Sequence, residues 1–163
     1  MNAIICTQKN KPIIMAETLG MLCDKLTIVK LKQYHTEDVV RLDSLNKQSL
    51  ELQAEINLYL SDAINGNIPV NKLTFESNKV FKKEGNNIQE VTGNIAEVFY
   101  KLADVNCRLW HEQEKVYEFE KVPASEKDIV VKQLALLNLE RNKCIDSING
   151  QLAELIKQKN KEI

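Results

Sequence analysis

The sequence predicts an all-α fold: a bundle of four long antiparallel helices that form two helical hairpins. Two observations predict it. The 163 residues include only 5 glycines and 3 prolines, too few for the many turns of a β-sandwich. Apolar residues recur at steps of three and four, as they do along one face of a helix, in the segments 15–35, 36–65, 88–122 and 126–159.

The first helix is predicted to start near Met15, after an irregular lead-in of 14 residues that contains Pro12 and has no sustained period. Two apolar strips follow, one of Leu19, Leu22, Leu26 and Val29 and one of Met21, Ile28 and Leu31. Two strips predict that this helix is covered on more than one side, and it should end near His35.

The second helix is predicted to follow at once, with Thr36 as its N-cap and the carboxylates of Glu37 and Asp38 in its first turn. It should end at Asn65-Gly66-Asn67, a C-terminal signal just ahead of Pro69. Its apolar stripe consists of Leu42, Leu45, Leu52, Ile56 and Tyr59.

A long loop over about residues 66–87 leads into the most regular stripe of the chain, that of the third helix. The stripe alternates steps of three and four through Ile88, Val91, Ile95, Val98, Leu102, Val105 and Leu109. Burying seven such side chains favours the packed state by roughly 10 to 20 kcal/mol before entropy is counted, at about 1.5 to 3 kcal/mol each. The stripe therefore requires a partner helix.

The fourth helix is predicted to follow Pro123, because Ser125 and Asp128 have the spacing of a capping signature. Its stripe consists of Val130, Leu134, Leu137, Cys144, Ile148 and Leu155.

The helices form one predicted domain, residues 15–159, between the lead-in at 1–14 and a tail at 160–163. The connections at 35–36 and 122–125 are short, so the first two helices, and the last two, should be antiparallel neighbours.

Charge and cysteine usage exclude several classes of protein. The formal net charge of −1 gives no overall field to attract nucleic acid or anionic lipid. The N-terminus lacks a secretory pattern and the longest apolar runs are too short to cross a bilayer, so we expect a cytoplasmic protein without membrane insertion. Four isolated cysteines, Cys6, Cys23, Cys107 and Cys144, should be reduced and mostly buried in the core.

Familiar catalytic motifs are missing from the sequence. Neither His35 nor His111 has a glutamate three residues before it, as the ligand pairs of di-iron bundles require. Phosphate-binding glycine loops and the G-x-S-x-G elbow are also missing. The sequence therefore predicts no metal site, no cofactor and no catalytic residue, and it leaves enzymatic activity open.

The first candidate site lies along one side of the first helix, where Asp24, Lys25 and Lys32 share a polar seam. One interpretation is an anion site in which the two lysines hold phosphate and Asp24 orients them. The alternative is a solvated ridge with an internal ion pair.

The second candidate site lies on the third helix, where Asn106, Trp110 and Glu114 recur every four residues. One interpretation is a pocket wall facing the first helix, with Asn106 and Glu114 bonding a ligand or the ammonium of Lys25. The alternative is that Trp110 packs at the end of the bundle and Asn106 satisfies a buried polar group.

The segment 72–83 is locally basic and interleaves its charges with Phe75 and Phe81. Its four lysines are Lys72, Lys79, Lys82 and Lys83. Such a segment could bind single-stranded nucleic acid, but four lysines without an arginine are also typical of a solvated loop.

The segments 17–32 and 105–114 resemble two bacterial families of helical proteins of unknown function, which share D-K-[LI]-[ST]-I-x-x-x-K and N-x-x-L-W-x-x-E segments. In this sequence the segments fall on Asp24, Lys25, Leu26, Thr27, Ile28 and Lys32, and on Asn106, Leu109, Trp110 and Gln113, where Gln replaces the acidic residue. The resemblance implies no activity and no catalytic residue. It implies only that genes of this kind often lie near bacterial genes for cell-surface glycans.

Besides nucleic-acid binding through the basic segment 72–83, two functions remain open from the sequence. The first is a non-catalytic binding or accessory protein, linked by the resemblance to cell-surface glycan biosynthesis, with a protein partner or a second copy of itself. The other is an enzyme or binder of a phosphorylated sugar or nucleotide that uses Asp24, Lys25 and Lys32, with Trp110 stacking on a ring.

Overall fold

A computed structural model describes residues 16–75 and 90–161 of the chain. It confirms the all-α fold, since these residues form four α-helices and no strand. The helices are α1 (Leu19–His35), α2 (Val39–Ile64), α3 (Ile95–Tyr117) and α4 (Ala124–Lys159). Two short 3-10 turns, Val70–Lys72 and Phe119–Lys121, follow α2 and α3. The predicted lead-in 1–14 lies outside the described residues.

All four helices start at a residue other than the predicted one. α1 begins at Leu19 rather than near Met15, because Thr18 is its N-cap and its side chain accepts a hydrogen bond from the Met21 amide. Asp38 and not Thr36 caps α2, its side chain accepting a hydrogen bond from the Arg41 amide. α3 begins at Ile95 rather than Ile88, because Asn94 and Glu97 form a capping box there. Ile88 lies outside the described residues, and Val91 contacts the core from the segment before the helix.

The start of α4 also differs from the prediction. The helix begins at Ala124, directly after Pro123, so Ser125 lies inside the first turn and does not cap it. The predicted end of α2 is confirmed, since Asn65 is the C-cap and Gly66 takes the left-handed φ of 76° that favours glycine.

The four helices pack as two antiparallel hairpins, as predicted, with α1 at the centre. α1 contacts α2, α3 and α4, whereas α2 makes few contacts with α3 or α4. This explains the second apolar strip of α1, because one helix must meet three neighbours. None of the helices in the described ranges combines the length and the apolar character needed to cross a membrane.

The core follows the predicted stripes and adds residues from the segment after α2. Ile68 and Leu73 are buried there, so the first part of the predicted long loop packs against the bundle. Leu155, by contrast, is 54% exposed although it belongs to the predicted stripe of α4. Buried stripe residues include Leu22, Val29, Leu52, Tyr59, Val98, Leu102, Leu137 and Ile148.

α1 and α4 approach each other closely at Gly20. A Cβ atom at this position would lie 2.5 Å from the carbonyl oxygen of Ile145 and 3.0 Å from Oδ1 of Asn149. The same Asn149 oxygen accepts a hydrogen bond of 2.8 Å from the Gly20 amide, which satisfies one of the free N–H groups at the start of α1. Glycine here lets the two backbones approach closely.

We predict that Gly20→Ala lowers the free energy of unfolding by about 1 to 3 kcal/mol, because the backbone oxygen of Ile145 must move away from the added methyl group. Gly150→Ala is the matched control, since a Cβ there meets no atom within 4 Å. The control should raise stability by about 0.5 to 1 kcal/mol, as expected for alanine within a helix. Urea unfolding measures both. Equal effects of the two substitutions would contradict the close approach.

Candidate functional site

An ion pair between the buried Asp24 of α1 and the half-buried Arg141 of α4 joins these two helices. The Asp24 carboxylate is buried, with 6% of its side chain exposed. Nε of Arg141 donates to Oδ1 of Asp24 at 2.7 Å, and a terminal guanidinium nitrogen donates to Oδ2. The pairing is bidentate, which is the strongest geometry available to arginine and a carboxylate.

Asn106 of α3 joins this ion pair to a third helix. Its Nδ2 donates to Oδ1 of Asp24 at 2.9 Å and to the hydroxyl of Thr27 at 2.7 Å. The Thr27 hydroxyl in turn donates to the backbone oxygen of Asp24 at 2.7 Å. Asn106 is 1% exposed and its Oδ1 has no hydrogen-bond partner among the described residues. The polar cluster of Asp24, Thr27, Asn106 and Arg141 therefore links α1, α3 and α4.

Sequence reasoning selected Asp24 and Asn106 but missed Arg141. A signal was available, because the apolar stripe of α4 steps from Leu137 to Cys144 with a gap of seven residues, and Arg141 stands in that gap. A cation within an apolar stripe must find a partner when the helix packs, and the carboxylate on the facing helix is Asp24.

The geometry of the polar cluster leaves Asp24 little capacity for chemistry. Both of its oxygens accept hydrogen bonds from Arg141, and Oδ1 also accepts from Asn106. The hydrogen bonds that Arg141 donates to Asp24 raise the pKa of the Arg141 guanidinium above its ordinary value, so the cation stays charged. A carboxylate held in this way cannot accept a substrate proton without breaking the ion pair.

Beside the cluster, α1, α2 and α4 enclose a polar groove of about 410 Å³ that includes Asp24, Lys25, Lys32 and Arg141 in its lining. One interpretation predicted a contact between Lys25 and Glu114. Lys25 instead pairs with Glu17 at 2.5 Å. The lining contains three cations, Lys25, Lys32 and Arg141, and four carboxylates, those of Glu17, Asp24, Glu51 and Glu55. The polar groove therefore lacks the positive balance that the predicted phosphate site requires.

Trp110 and Glu114 lie outside the polar groove, towards the end of the bundle where α1 ends. Nε1 of Trp110 donates to Glu114 at 2.9 Å, and the Trp110 ring stacks on His35 with centroids 4.7 Å apart and planes 14° from parallel. The hydrogen bond between His111 and Glu114 is the larger cause that lowers the pKa of Glu114, and the hydrogen bond from Trp110 lowers it further. Trp110 therefore packs at the bundle end, as the second interpretation of this helix predicted.

Lys32 and Trp110 nevertheless share one cavity, the cationic pocket. Its volume is about 450 Å³, and its lining consists of Lys32, His35, Thr36, Arg41, Leu45 and Trp110. The predicted site residues therefore do not form one site. Asp24, Lys25 and Lys32 line the polar groove, and Asn106 contacts Asp24 from α3. Trp110 lines the cationic pocket, together with Lys32. Glu114 lines neither cavity.

The opposite end of the bundle carries an apolar groove of about 660 Å³ between α2 and α3. Residues of α1 and α4 also line it. Every lining side chain except that of Lys159 is apolar or a cysteine: Leu19, Cys23, Ile56, Leu60, Ile64, Ile95, Ala96, Phe99, Ile148, Leu152, Leu155 and Ile156. Sequence reasoning did not predict this groove.

Three other predictions concern the basic segment, metals and cysteines. Of the segment 72–83, only residues up to Phe75 lie within the described part of the chain. No group of three or more His, Cys, Asp or Glu side chains that could hold a metal ion occurs among the described residues. Cys144 is buried and Cys23 half-buried, as predicted, but Cys107 is exposed. Cys6 lies outside the described residues.

No protein-family model matches the chain, and neither a curated protein nor a solved structure matches it significantly. The resemblance carried by the segments 17–32 and 105–114 therefore stays a prediction. Function has to be inferred from the geometry of the side chains.

We predict that Arg141→Leu lowers the free energy of unfolding by about 3 to 5 kcal/mol, because it leaves the Asp24 carboxylate buried without a counter-ion. The matched control is Arg108→Leu. Arg108 is an exposed arginine whose contacts with Asp104 and Glu140 measure 3.6 and 3.7 Å, so its loss should cost no more than about 1 kcal/mol.

Chemical denaturation of the two variants measures this difference. If Arg141→Leu does not fold, the double variant Asp24→Asn with Arg141→Leu should recover folded protein, since it removes the buried charge as well. Similar losses of stability for Arg108→Leu and Arg141→Leu would contradict a structural role of the ion pair.

We also predict an order of thiol reactivity. Burial raises the pKa of the Cys23 thiol to about 11, with the Asp24 charge adding to the rise, and burial raises the pKa of Cys144 to about 11. At about pH 8 both thiols are therefore almost entirely protonated and slow to react, whereas the exposed Cys107 should be alkylated before either of them. Peptide mass spectrometry after brief iodoacetamide treatment tests this, and early labelling of Cys144 in folded protein would contradict it.

Proposed function

We propose that this protein is a non-catalytic binding protein that holds an apolar helical segment of a partner protein in the apolar groove. One observation carries the proposal: a groove of about 660 Å³ in which Lys159 is the only charged lining residue within the described ranges. Apolar surface that remains open in a folded domain is typical of an interaction site. Ile64 and Leu155 at its edges are 49% and 54% exposed.

The shape of the apolar groove favours a helix as its occupant. Ile56, Leu60 and Ile64 recur every four residues on the α2 wall, so they extend over about 12 Å at 1.5 Å per residue, or roughly two helical turns. Since α2 makes few contacts with α3, no described part of the chain closes the bundle on this side. An amphipathic helix with apolar residues three and four positions apart would complete the packing.

The state of the polar cluster supports a binding role over a catalytic one. Asp24 belongs to the predicted phosphate site, and its carboxylate is engaged by Arg141 and Asn106. Lys25 is engaged by Glu17. The side chains of Asp24 and Lys25 are thus already occupied by partners within the bundle. A link to cell-surface glycan assembly stays a prediction from the sequence resemblance.

The test uses a groove-filling substitution, Ala96→Trp. Ala96 is exposed at the edge of the apolar groove, so an indole there should fill the groove without disturbing the core. Ala135→Trp places the same side chain at an exposed position of α4 that lines none of the cavities described above. Circular dichroism and thermal unfolding should show that both variants fold like the parent protein.

The probe is a fluorescein-labelled amphipathic peptide with leucines at helical spacing, followed by anisotropy, with palmitate in a parallel titration. We expect the parent protein and Ala135→Trp to bind the peptide, and Ala96→Trp to bind it at least about tenfold more weakly, a loss of about 1.4 kcal/mol. Three outcomes would contradict the proposal. They are equal binding by Ala96→Trp, binding of palmitate without peptide, and peptide binding that appears only after residues 1–15 are removed.

A further inference from the structure

The cationic pocket, at the end of the bundle opposite the apolar groove, has the properties of a second and independent site. It lies where α1 ends, α2 begins and the middle of α3 passes, so its lining comes from three helices and a connection. Its volume of about 450 Å³ falls within the range of small-molecule sites. Leu45, which is buried, supplies an apolar surface.

The charge of this pocket is one-sided. Lys32 and Arg41 line it together with the ring of His35, and no carboxylate does so among the residues that the structure describes. Neither Lys32 nor Arg41 forms an ion pair within the described part of the chain, whereas Lys25 and Arg141 nearby are both paired. Unpaired cations around one concavity attract an anion, and a guanidinium suits the oxygens of a phosphate.

Trp110 gives the pocket a fixed aromatic surface. Its indole is half-buried and is held by the hydrogen bond to Glu114 and by stacking on His35. The carboxylate of Glu114 is occupied by Trp110 and His111 and does not line the pocket. An aromatic side chain fixed beside two free cations can contact a flat ring while the cations hold a charged group.

We propose that the cationic pocket binds a small phosphorylated ligand that carries a planar ring, of the size and chemistry of a nucleoside monophosphate. Lys32 and Arg41 hold the phosphate, and the ring packs against Trp110 and Leu45. The site involves no residue of the apolar groove, so it neither requires nor excludes a protein partner there.

The chain provides its own reporter for this site, because Trp110 is its only tryptophan. Titration with adenosine 5′-monophosphate should change the Trp110 emission in a saturable way, with a dissociation constant below about 1 mM. Lys32→Gln and Arg41→Gln should each weaken binding by about tenfold, since each removes a charge-assisted contact to phosphate. Lys30→Gln is the matched control, a neighbouring exposed lysine of α1 that does not line the pocket.

Separate titrations with inorganic phosphate and with adenosine test the two parts of the ligand one at a time. The proposal expects both to bind more weakly than the complete nucleotide. Phosphate that binds as tightly as the nucleotide would overturn the role of the ring, and adenosine that does so would overturn the role of the cations. A loss in Lys30→Gln equal to that in Lys32→Gln, or no saturable change in emission, would overturn the site.

Discussion

The ion pair between the buried Asp24 carboxylate and Arg141 is the constraint on which the arrangement of the bundle depends. A carboxylate removed from water is stable only when it is paired and hydrogen-bonded, and Asp24 meets both conditions through Arg141 and Asn106. These partners come from α4 and α3. Sliding either helix along α1 by one turn would leave a buried charge or amide without its partner, so the polar cluster selects one register among those that apolar packing alone would allow.

The close contact at Gly20 acts together with the polar cluster. It lies about one turn from Asp24 on α1, and there the amide of Gly20 binds Asn149 on α4. The contacts Asp24–Arg141 and Gly20–Asn149 therefore both join α1 to α4. Together they fix the distance between the two helices and their relative position along the helix axes. α2, which makes few contacts with α3 or α4, is held mainly through α1. The apolar groove is a consequence, because the wall that α2 provides is not closed against α3.

The two ends of the bundle consequently differ in chemistry. The apolar groove, at the end with the first turn of α1, is lined by apolar side chains, Cys23 and Lys159, whereas the lining of the cationic pocket at the other end includes Lys32, Arg41 and Trp110. The polar groove between them has mixed charge and includes the paired Asp24 and Lys25. A protein partner at one end and a small anion at the other end are compatible with one structure.

The sequence predicts the fold well because helix periodicity is a local property. The stripe through Val98, Leu102 and Val105 had to face a partner, and it does. The candidate site is predicted only in part. Helical spacing places Asp24 and Lys32 on one side of α1, but their partners depend on how the helices cross, and Arg141 is 117 residues from Asp24. The helix starts were missed where competing caps such as Asp38 and Asn94 lay a few residues away.

The most direct test of the central claim is the exchange of the Arg141 side-chain Nε–H proton with water, measured by nuclear magnetic resonance. The chain has three arginines, and Arg41 and Arg108 are the exposed ones. The structure predicts one Nε–H resonance that exchanges slowly at neutral pH, that is absent in Arg141→Lys, and that loses its protection in Asp24→Asn. An Arg141 proton that exchanges as fast as those of Arg41 and Arg108 would contradict the buried ion pair and the helix register that depends on it.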